Sequence, residues 1–85
     1  MEQVASATPR DLVEFLVRAL VESPDEVRVE EIDDGGDVVL EVSVADGDHG
    51  RVIGRGGRVA NAIRTVAKAA ATRSDQRVLV EILDD

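Results

Sequence analysis

The sequence predicts a two-layer α+β domain in which a three-stranded mixed sheet is covered on one face by three helices. Two long stretches carry apolar residues at helical spacing, and three shorter stretches alternate apolar with polar residues. A glycine-rich stretch lies between the second and third alternating stretches, directly before the second long helical pattern. A short chain with both periodicities must pack its helices against a sheet to bury the two kinds of apolar face.

The first helix is predicted from its start signals. Thr8 suits the N-cap, Pro9 the first helical position and Asp11 the third. The dipeptide Ser23-Pro24 is expected to end the helix, because proline disfavours helical backbone in the residue before it. The buried face is expected to consist of the apolar residues Leu12, Phe15, Leu16, Ala19 and Leu20.

Two alternating stretches then predict a β-hairpin. Val27 and Val29 alternate with polar residues between Glu26 and Asp33, which indicates a half-exposed strand. The cluster at 34–37 contains two glycines between aspartates and is expected to turn the chain. The second strand has an apolar face made of Val38, Leu40, Val42 and Val44.

The chain after the hairpin predicts a helical crossover into a last strand. Asp48 is expected to cap a short helical turn through residues 51–53, and a long amphipathic helix follows and ends near Thr72 or Arg73. Its apolar stripe is predicted to be Val59, Ile63, Val66, Ala67 and Ala70, and the opposite side Arg58, Asn61, Thr65 and Lys68. Residues 74–76 connect to a strand with Val78, Val80 and Ile82 on one face. The last two strands are expected to be parallel, because a helical crossover joins them.

Length and composition restrict the classes of function. Eighty-five residues are expected to form a single domain over residues 1–85, with an ordered core from about 8 to 83. The absence of cysteine excludes disulfides and thiolate metal sites. No apolar run approaches the roughly 20 residues that cross a bilayer, and the N-terminus lacks signal-peptide features, so a soluble, cytoplasmic protein without membrane contact is expected. One Phe and no Tyr or Trp argue against RRM-type and OB-type base stacking.

The net charge of −8 hides a segregation along the chain. Residues 1–49 carry 14 acidic and 3 basic side chains, whereas residues 50–77 carry 7 basic side chains and a single acidic one. Screening limits the reach of a charge to about 8 to 10 Å at physiological salt, so a basic surface can bind a polyanion although the rest of the chain is acidic. The acidic part is expected to suppress tight, unselective binding.

The basic segment begins with a stretch of glycines and arginines at 50–59. Glycines allow left-handed backbone and remove the side chains that would keep a ligand from backbone N–H groups. Arginines supply positive charge and fork-shaped donors. By itself this pattern leaves a phosphate site, a dinucleotide site and a simple turn open.

The residues Val52-Ile53-Gly54-Arg55-Gly56-Gly57 fit the pattern V-I-G-x-x-G between two helices. With the α-β-β-α-α-β order, the chain resembles a type II KH domain, and in particular the KhpA family of small bacterial RNA-binding KH proteins. The resemblance extends from Pro9 to about Ile82. One departure is Ala60, which stands where the broader KH pattern has a larger aliphatic residue and predicts a shallower groove.

The resemblance implies that the loop Gly54–Gly57 clamps the sugar-phosphate backbone of about four nucleotides of single-stranded RNA. It implies phosphate contacts for Arg55 and for the flanking Arg51 and Arg58, and an apolar groove formed by Val52 and Ile53 with Leu40 or Val42 of the neighbouring strand. Base-edge or sugar contacts are implied for Asn61 and Arg64. It further implies a homodimer, or a heterodimer with another KH-domain protein.

Several of these residues have a simpler interpretation, which the sequence leaves open. Val52 and Ile53 are also candidates for the core. The cations on the long helix and after it, Arg64, Lys68, Arg73 and Arg77, are interpreted mainly as a solvated helix face and end. His49 is the single histidine of the chain and is expected to have a cap or surface role.

Competing functional motifs are incomplete. A dinucleotide fingerprint would require Gly or Ala at position 59, which is Val59, and no Gly-Lys-Ser/Thr follows for a P-loop. The carboxylates lack a recognisable paired arrangement, so neither an enzyme nor a metal site nor a bound cofactor is expected. The sequence therefore predicts a non-catalytic RNA-binding protein, of the global RNA-binding or RNA-chaperone kind. The alternative is a protein-interaction and dimerisation subunit of a larger KH-protein assembly.

Overall fold

The computed structural model describes residues 8–72 and 75–84. Three helices lie against one face of a three-stranded sheet, in the element order that the sequence predicts. The helices are α1 (Pro9–Leu20), α2 (His49–Ile53) and α3 (Arg58–Ala71), and the strands are β1 (Arg28–Asp34), β2 (Asp37–Ser43) and β3 (Arg77–Ile82). The predicted α+β class is confirmed. No helix in these ranges is long and apolar enough to cross a membrane.

Helix α1 begins as predicted but buries a different face. The N–H of Asp11 donates to Oγ1 of Thr8 over 3.1 Å, with Pro9 at the first helical position. The predicted buried stripe is wrong, because the helix points Val13 and Val17 into the core with no exposed area. Phe15 is 69% exposed instead. Of the other predicted stripe residues, Leu12 and Leu16 are half-buried, and Ala19 and Leu20 are exposed.

The sheet has the predicted topology, with strand order β1-β2-β3. β1 is antiparallel to β2, and β2 is parallel to β3. The two-residue turn between β1 and β2 uses Gly35 and Gly36 at φ 62° and 103°, the positive values that tight hairpin turns require. β1 starts later than predicted, because Pro24–Glu26 form a 3-10 turn before it.

The core lies between the inner face of the sheet and the helices. Leu40 and Val42 of β2 are completely buried, as are Val13 and Val17 of α1. Helix α3 contributes Ala60, Ile63, Ala67 and Ala71. The predicted stripe of α3 is therefore only partly right: Val66 is exposed, while Val59 and Ala70 are half-buried. Small alanines on this face let α3 lie close to the sheet.

Arginine side chains cover a carbonyl group on each outer strand of the sheet. Nε of Arg10 in α1 donates to the carbonyl oxygen of Val29 in β1 over 3.0 Å. Nε of Arg64 in α3 donates to the carbonyl oxygen of Val80 in β3 over 3.2 Å. Edge strands present unpaired backbone groups that invite pairing with other chains, and side-chain donors reduce that exposure. The interpretation of Arg64 as mainly part of a solvated helix face is wrong, because its side chain is half-buried and bonded to β3.

Some expectations fall on residues outside the described ranges. These are the role of Arg73, the part of the α3–β3 connection at Ser74, and the termini at 1–7 and Asp85. The end of α3 at Ala71, with Thr72 as C-cap, agrees with the predicted end to within one residue.

Candidate nucleic-acid interface

The glycine loop starts where α2 ends. The N–H of Gly54 donates to the carbonyl oxygen of Gly50 over 2.9 Å, and Gly54 then turns the chain away from the helix axis at φ 75° and ψ 170°. A Cβ atom at this position would overlap the side chain of Val59 and lie 2.8 Å from its backbone nitrogen. Only glycine fits here, because both the backbone angle and the space exclude a side chain.

Gly56 and Gly57 carry the chain into α3. Both have positive φ, at 65° and 79°, and apart from the adjacent residues in the chain no atom lies within 4 Å of where their Cβ atoms would be. The N–H of Gly57 donates to the carbonyl oxygen of Gly54 over 3.1 Å, which closes the loop into a 3-10 turn. Gly57 is the N-cap of the 14-residue helix α3 and provides no side chain to cap it. The first N–H groups of a helix lack partners within the helix and can bind an anion. Here the N–H of Arg58 already donates to the carbonyl oxygen of Arg55, so the backbone donors left for an anion are those of the next residues in the first turn.

Two arginines flank this open helix end. Arg55 and Arg58 are both exposed, and among the described residues neither side chain takes part in a hydrogen bond or ion pair. An unpaired guanidinium can approach phosphate with two parallel N–H donors without first breaking an internal contact. The loop thus combines backbone donors with two free cations.

Arg51 is placed differently from Arg55 and Arg58. Its guanidinium contacts Oε2 of Glu22 over 3.0 Å and Oδ1 of Asp48 over 3.4 Å. The side chain points toward the end of α1 and joins α2 to that segment. Before it could contact a phosphate, Arg51 would have to leave these carboxylates.

Asp48 is a site residue whose role the sequence did not reveal. It stands at the N-cap position of α2, but the predicted cap is wrong, because its side chain makes no capping hydrogen bond there. Its carboxylate instead accepts hydrogen bonds from the backbone N–H groups of Glu22 and Ser23, each over 3.0 Å. Asp48 is only 3% exposed, so these contacts fix the segment after α1 to the start of α2. No local spacing signals a partner 25 residues away.

The predicted apolar groove is mostly inaccessible. Val52, Leu40 and Val42 have no exposed area, so the alternative interpretation of Val52 as a core residue is confirmed. Ile53 is half-buried and presents apolar surface directly before the loop. Ala60, in the first turn of α3, is only 2% exposed and belongs to the buried face of that helix rather than to an open groove.

Asn61 and Arg64 lie one turn apart on α3. Nη1 of Arg64 donates to Oδ1 of Asn61 over 3.2 Å, while Nε of the same side chain donates to the carbonyl oxygen of Val80. Arg64 is half-buried, and Asn61 is exposed. The amide nitrogen of Asn61 therefore remains free to donate, whereas Arg64 is already engaged.

His49 is the first residue of α2 and is half-buried rather than on the open surface. Its Nε2 is buried and has no hydrogen-bond partner. The residues that line the small cavity beside it include Asp46, Ser43 and Leu83. Within the described ranges, no group of three histidine or acidic side chains could hold a metal ion.

Comparison with known proteins gives consistent matches. A family model described as "KhpA/KhpB, KH domain" matches residues 10–82. The RNA-binding protein KhpA of Clostridium acetobutylicum is 49% identical over 74 residues, which cover 87% of this chain and 99% of that protein. The RNA-binding protein KhpA of Halalkalibacterium halodurans is 49% identical over 75 residues, covering 88% of this chain and 99% of its own length.

One solved structure shows a similar fold. A crystal structure of Aquifex aeolicus Era bound to GDP.AlF4- superposes with a TM-score of 0.62 at 17% identity. The superposition covers 87% of this chain and 29% of the Era chain.

Proposed function

The chain belongs to the KhpA/KhpB family of KH-domain proteins and has a type II KH fold, and from that premise we propose that it binds single-stranded RNA without catalysing a reaction. The proposed site is the loop Gly54–Gly57 with the first turn of α3. The relatives are named as RNA-binding proteins, and this chain matches them over nearly their whole length.

The observation that carries the proposal is the positive φ at all three loop glycines, directly before α3. This backbone leaves the start of a 14-residue helix without a side chain in front of it. Helix N-termini favour anions through their free N–H groups and partial positive charge. A phosphate of an extended strand fits such a site, and KH loops clamp about four nucleotides in this way.

The side chains around the loop have graded roles in the proposal. Arg55 and Arg58 contact phosphates directly, because they are exposed and unpaired. Arg51 contributes less, since two carboxylates already hold it. Ile53 supplies the apolar contact for a base, and the Asn61 amide donates to a base edge or sugar. Arg64 supports the site by orienting Asn61.

Titration of fluorescently labelled single-stranded RNA with the full chain tests this site. The double variant Arg55→Asp with Gly56→Asp should lower affinity by at least about tenfold, because it places two carboxylates beside the phosphates. Aspartate tolerates left-handed backbone better than most residues, and the space at Gly56 is open, so the variant should fold.

The matched control is Gln76→Asp with Arg77→Asp, which changes the net charge equally at two exposed residues away from the loop. It should affect affinity only slightly. Unchanged affinity in the loop variant would overturn the assignment, whereas an equal loss in both variants would show that only net charge matters.

A second candidate function is dimerisation within a KH-protein assembly, and the exposed face of α1 favours it. Phe15 is the single aromatic residue of the chain and is 69% exposed. With Leu12, Leu16, Ala19 and Leu20 it forms a second apolar face on a helix whose Val13 and Val17 already reach the core. A helix that is apolar on both sides is typical of one covered on both sides. Two weak RNA sites in a dimer would also gain affinity by avidity.

Light scattering at tens of micromolar tests the dimer. We expect a dimer that the variant Phe15→Ser converts to a folded monomer, because the side chain of Phe15 is exposed and does not contribute to the core of the chain. The control Val66→Ser removes an exposed apolar side chain from α3 and should leave the mass unaltered. A strict monomer at these concentrations would remove the homodimer form of this proposal.

A further inference from the structure

Within residues 8–72 and 75–84, no element covers the outer face of the sheet, because α1, α2 and α3 all lie on the inner face. The strand register places Ile32 opposite Val39, and Val39 opposite Leu79. These three aliphatic residues form one row across all three strands. Ile32 and Leu79 are each 38% exposed, and Val39 between them is half-buried. The row is a continuous apolar ridge on a surface that otherwise carries charge.

A row of three glutamates runs beside the apolar row. Glu30 lies opposite Glu41, and Glu41 lies opposite Glu81. Neighbouring strands are about 4.8 Å apart, so each carboxylate is close to another of the same charge. Like charges directly opposite each other across strands are destabilising. Within the described chain none of the three takes part in an ion pair, and the basic residue on the same face of β1, Arg28, lies opposite Ser43 rather than opposite a glutamate.

In the isolated chain one row exposes apolar area to water and the other places like charges side by side. A single kind of partner would remove both free-energy costs. We propose that this outer face, made of Ile32, Val39 and Leu79 with Glu30, Glu41 and Glu81, docks a cationic amphipathic helix of another protein. Apolar side chains of that helix cover the aliphatic row, and its lysines or arginines neutralise the glutamates. This inference uses a different surface from the RNA loop and from α1.

The dimensions of the two rows fit a helix that crosses the strands. Three strands spaced about 4.8 Å apart give each row a length of about 10 Å. Residues i and i+7 on one face of a helix are also separated by about 10 Å, with i+3 or i+4 near the middle. Three apolar helix residues therefore match three strands one by one. The two rows lie about 7 Å apart along the strands, which places the cations on one flank of the helix.

The charge of the face argues against other occupants. Three unpaired carboxylates repel the phosphates of RNA and the headgroups of anionic lipids. A second copy seated on the aliphatic row would place the glutamate row either over its own counterpart or over Asp34, Asp37 and Arg77, a row whose net charge is also negative. The inner face carries the helices and the loop, so RNA and the proposed helix occupy opposite sides of the sheet.

A synthetic peptide tests the proposal with the full chain. The probe is a helical peptide with leucines at i, i+3 and i+7 and lysines on one flank, and its binding is followed by fluorescence anisotropy and by NMR chemical shifts. We expect the largest shift changes at Ile32, Val39 and Leu79. The triple variant Glu30→Gln, Glu41→Gln and Glu81→Gln should weaken binding about tenfold, as should Leu79→Ser.

The matched control is the triple variant Glu26→Gln, Glu31→Gln and Asp33→Asn. It removes the same net charge from exposed residues, two of which lie on the other side of β1. The control should bind like the original chain. Equal weakening of both triple variants would overturn the proposal, because the peptide would then sense only net charge.

The proposal would also be overturned if the peptide did not bind detectably, or if the shift changes were confined to α1 or to the glycine loop. A third contrary result would be a different mass of the glutamate variant in the absence of peptide, because it would indicate that a second copy of the chain occupies the face. The loop variant Arg55→Asp with Gly56→Asp should retain peptide binding. The failure of this inference and the failure of the RNA proposal are therefore separable.

Discussion

Gly54 and Val59 are in such close contact that the backbone nitrogen of Val59 lies 2.8 Å from where a Cβ atom of Gly54 would be. Gly54 ends α2, and Val59 lies in the first turn of α3. The absence of one methyl group thus sets how closely the two helices approach, and that approach forms the loop between them.

Substitution of the glycines by alanine should give a graded series in urea denaturation. Gly54→Ala should lower the free energy of unfolding by about 2 to 4 kcal/mol, because it adds a clash with backbone atoms to the cost of positive φ. Gly56→Ala has the same kind of φ but open space, and should cost about 1 kcal/mol. Gly50→Ala, inside α2, should instead stabilise by about 0.5 to 1 kcal/mol. Equal effects at Gly54 and Gly56 would contradict the close contact with Val59.

The buried carboxylate of Asp48 should be a major stabilising group. Asp48→Ala leaves two backbone N–H groups, those of Glu22 and Ser23, without their acceptor. The free energy of unfolding should fall by about 2 to 4 kcal/mol, and Asp48→Asn should fall between this variant and the original chain. Asp46→Ala is the control, since Asp46 is exposed and makes no side-chain hydrogen bond in the described structure. A loss as small as that of the control would refute the role of Asp48.

The two arginines Arg55 and Arg51 should differ in their contribution to RNA binding. The slope of log affinity against log salt measures how many phosphates the protein neutralises. Arg55→Gln should reduce that slope by about 0.7, the value for one phosphate of a single strand. Arg51→Gln should reduce it by less than half as much, because Glu22 and Asp48 compete for the guanidinium. The opposite ranking would mean that RNA binding pulls Arg51 away from its carboxylates.

Glu41 should be a destabilising residue in the isolated chain. It is the centre of the glutamate row, so Glu41→Lys converts two repulsive neighbours, Glu30 and Glu81, into favourable pairs. The free energy of unfolding at low salt should rise by about 0.5 to 2 kcal/mol. At about 1 M salt, where screening acts over about 3 Å, most of the gain should disappear. Glu31→Lys, on the opposite side of β1, serves as the control and should give a smaller gain.

Much of the fold followed from local sequence patterns, and most failures share one cause. The N-cap of α1 and the glycine turn of the hairpin were predicted correctly, because each depends on neighbouring residues. The parallel pairing of β2 with β3 was predicted correctly because a helical crossover joins the two strands. The buried faces of the two long helices were not. In α1 both possible stripes are apolar, and in α3 the core face consists largely of alanine. The hydrophobicity of the residues alone could therefore not identify which face of either helix is buried.

The sequence by itself determined that a glycine loop with arginines beside it stands between two helices, because backbone freedom and charge belong to those residues wherever the chain places them. Only the tertiary structure decided which arginines remain free. In the folded chain Arg51 forms ion pairs with Glu22 and Asp48, and Arg64 donates a hydrogen bond to the carbonyl oxygen of Val80 in β3. The tertiary structure also aligns three glutamates that are far apart in the chain, because strand register sets cross-strand neighbours and a single sequence does not display it.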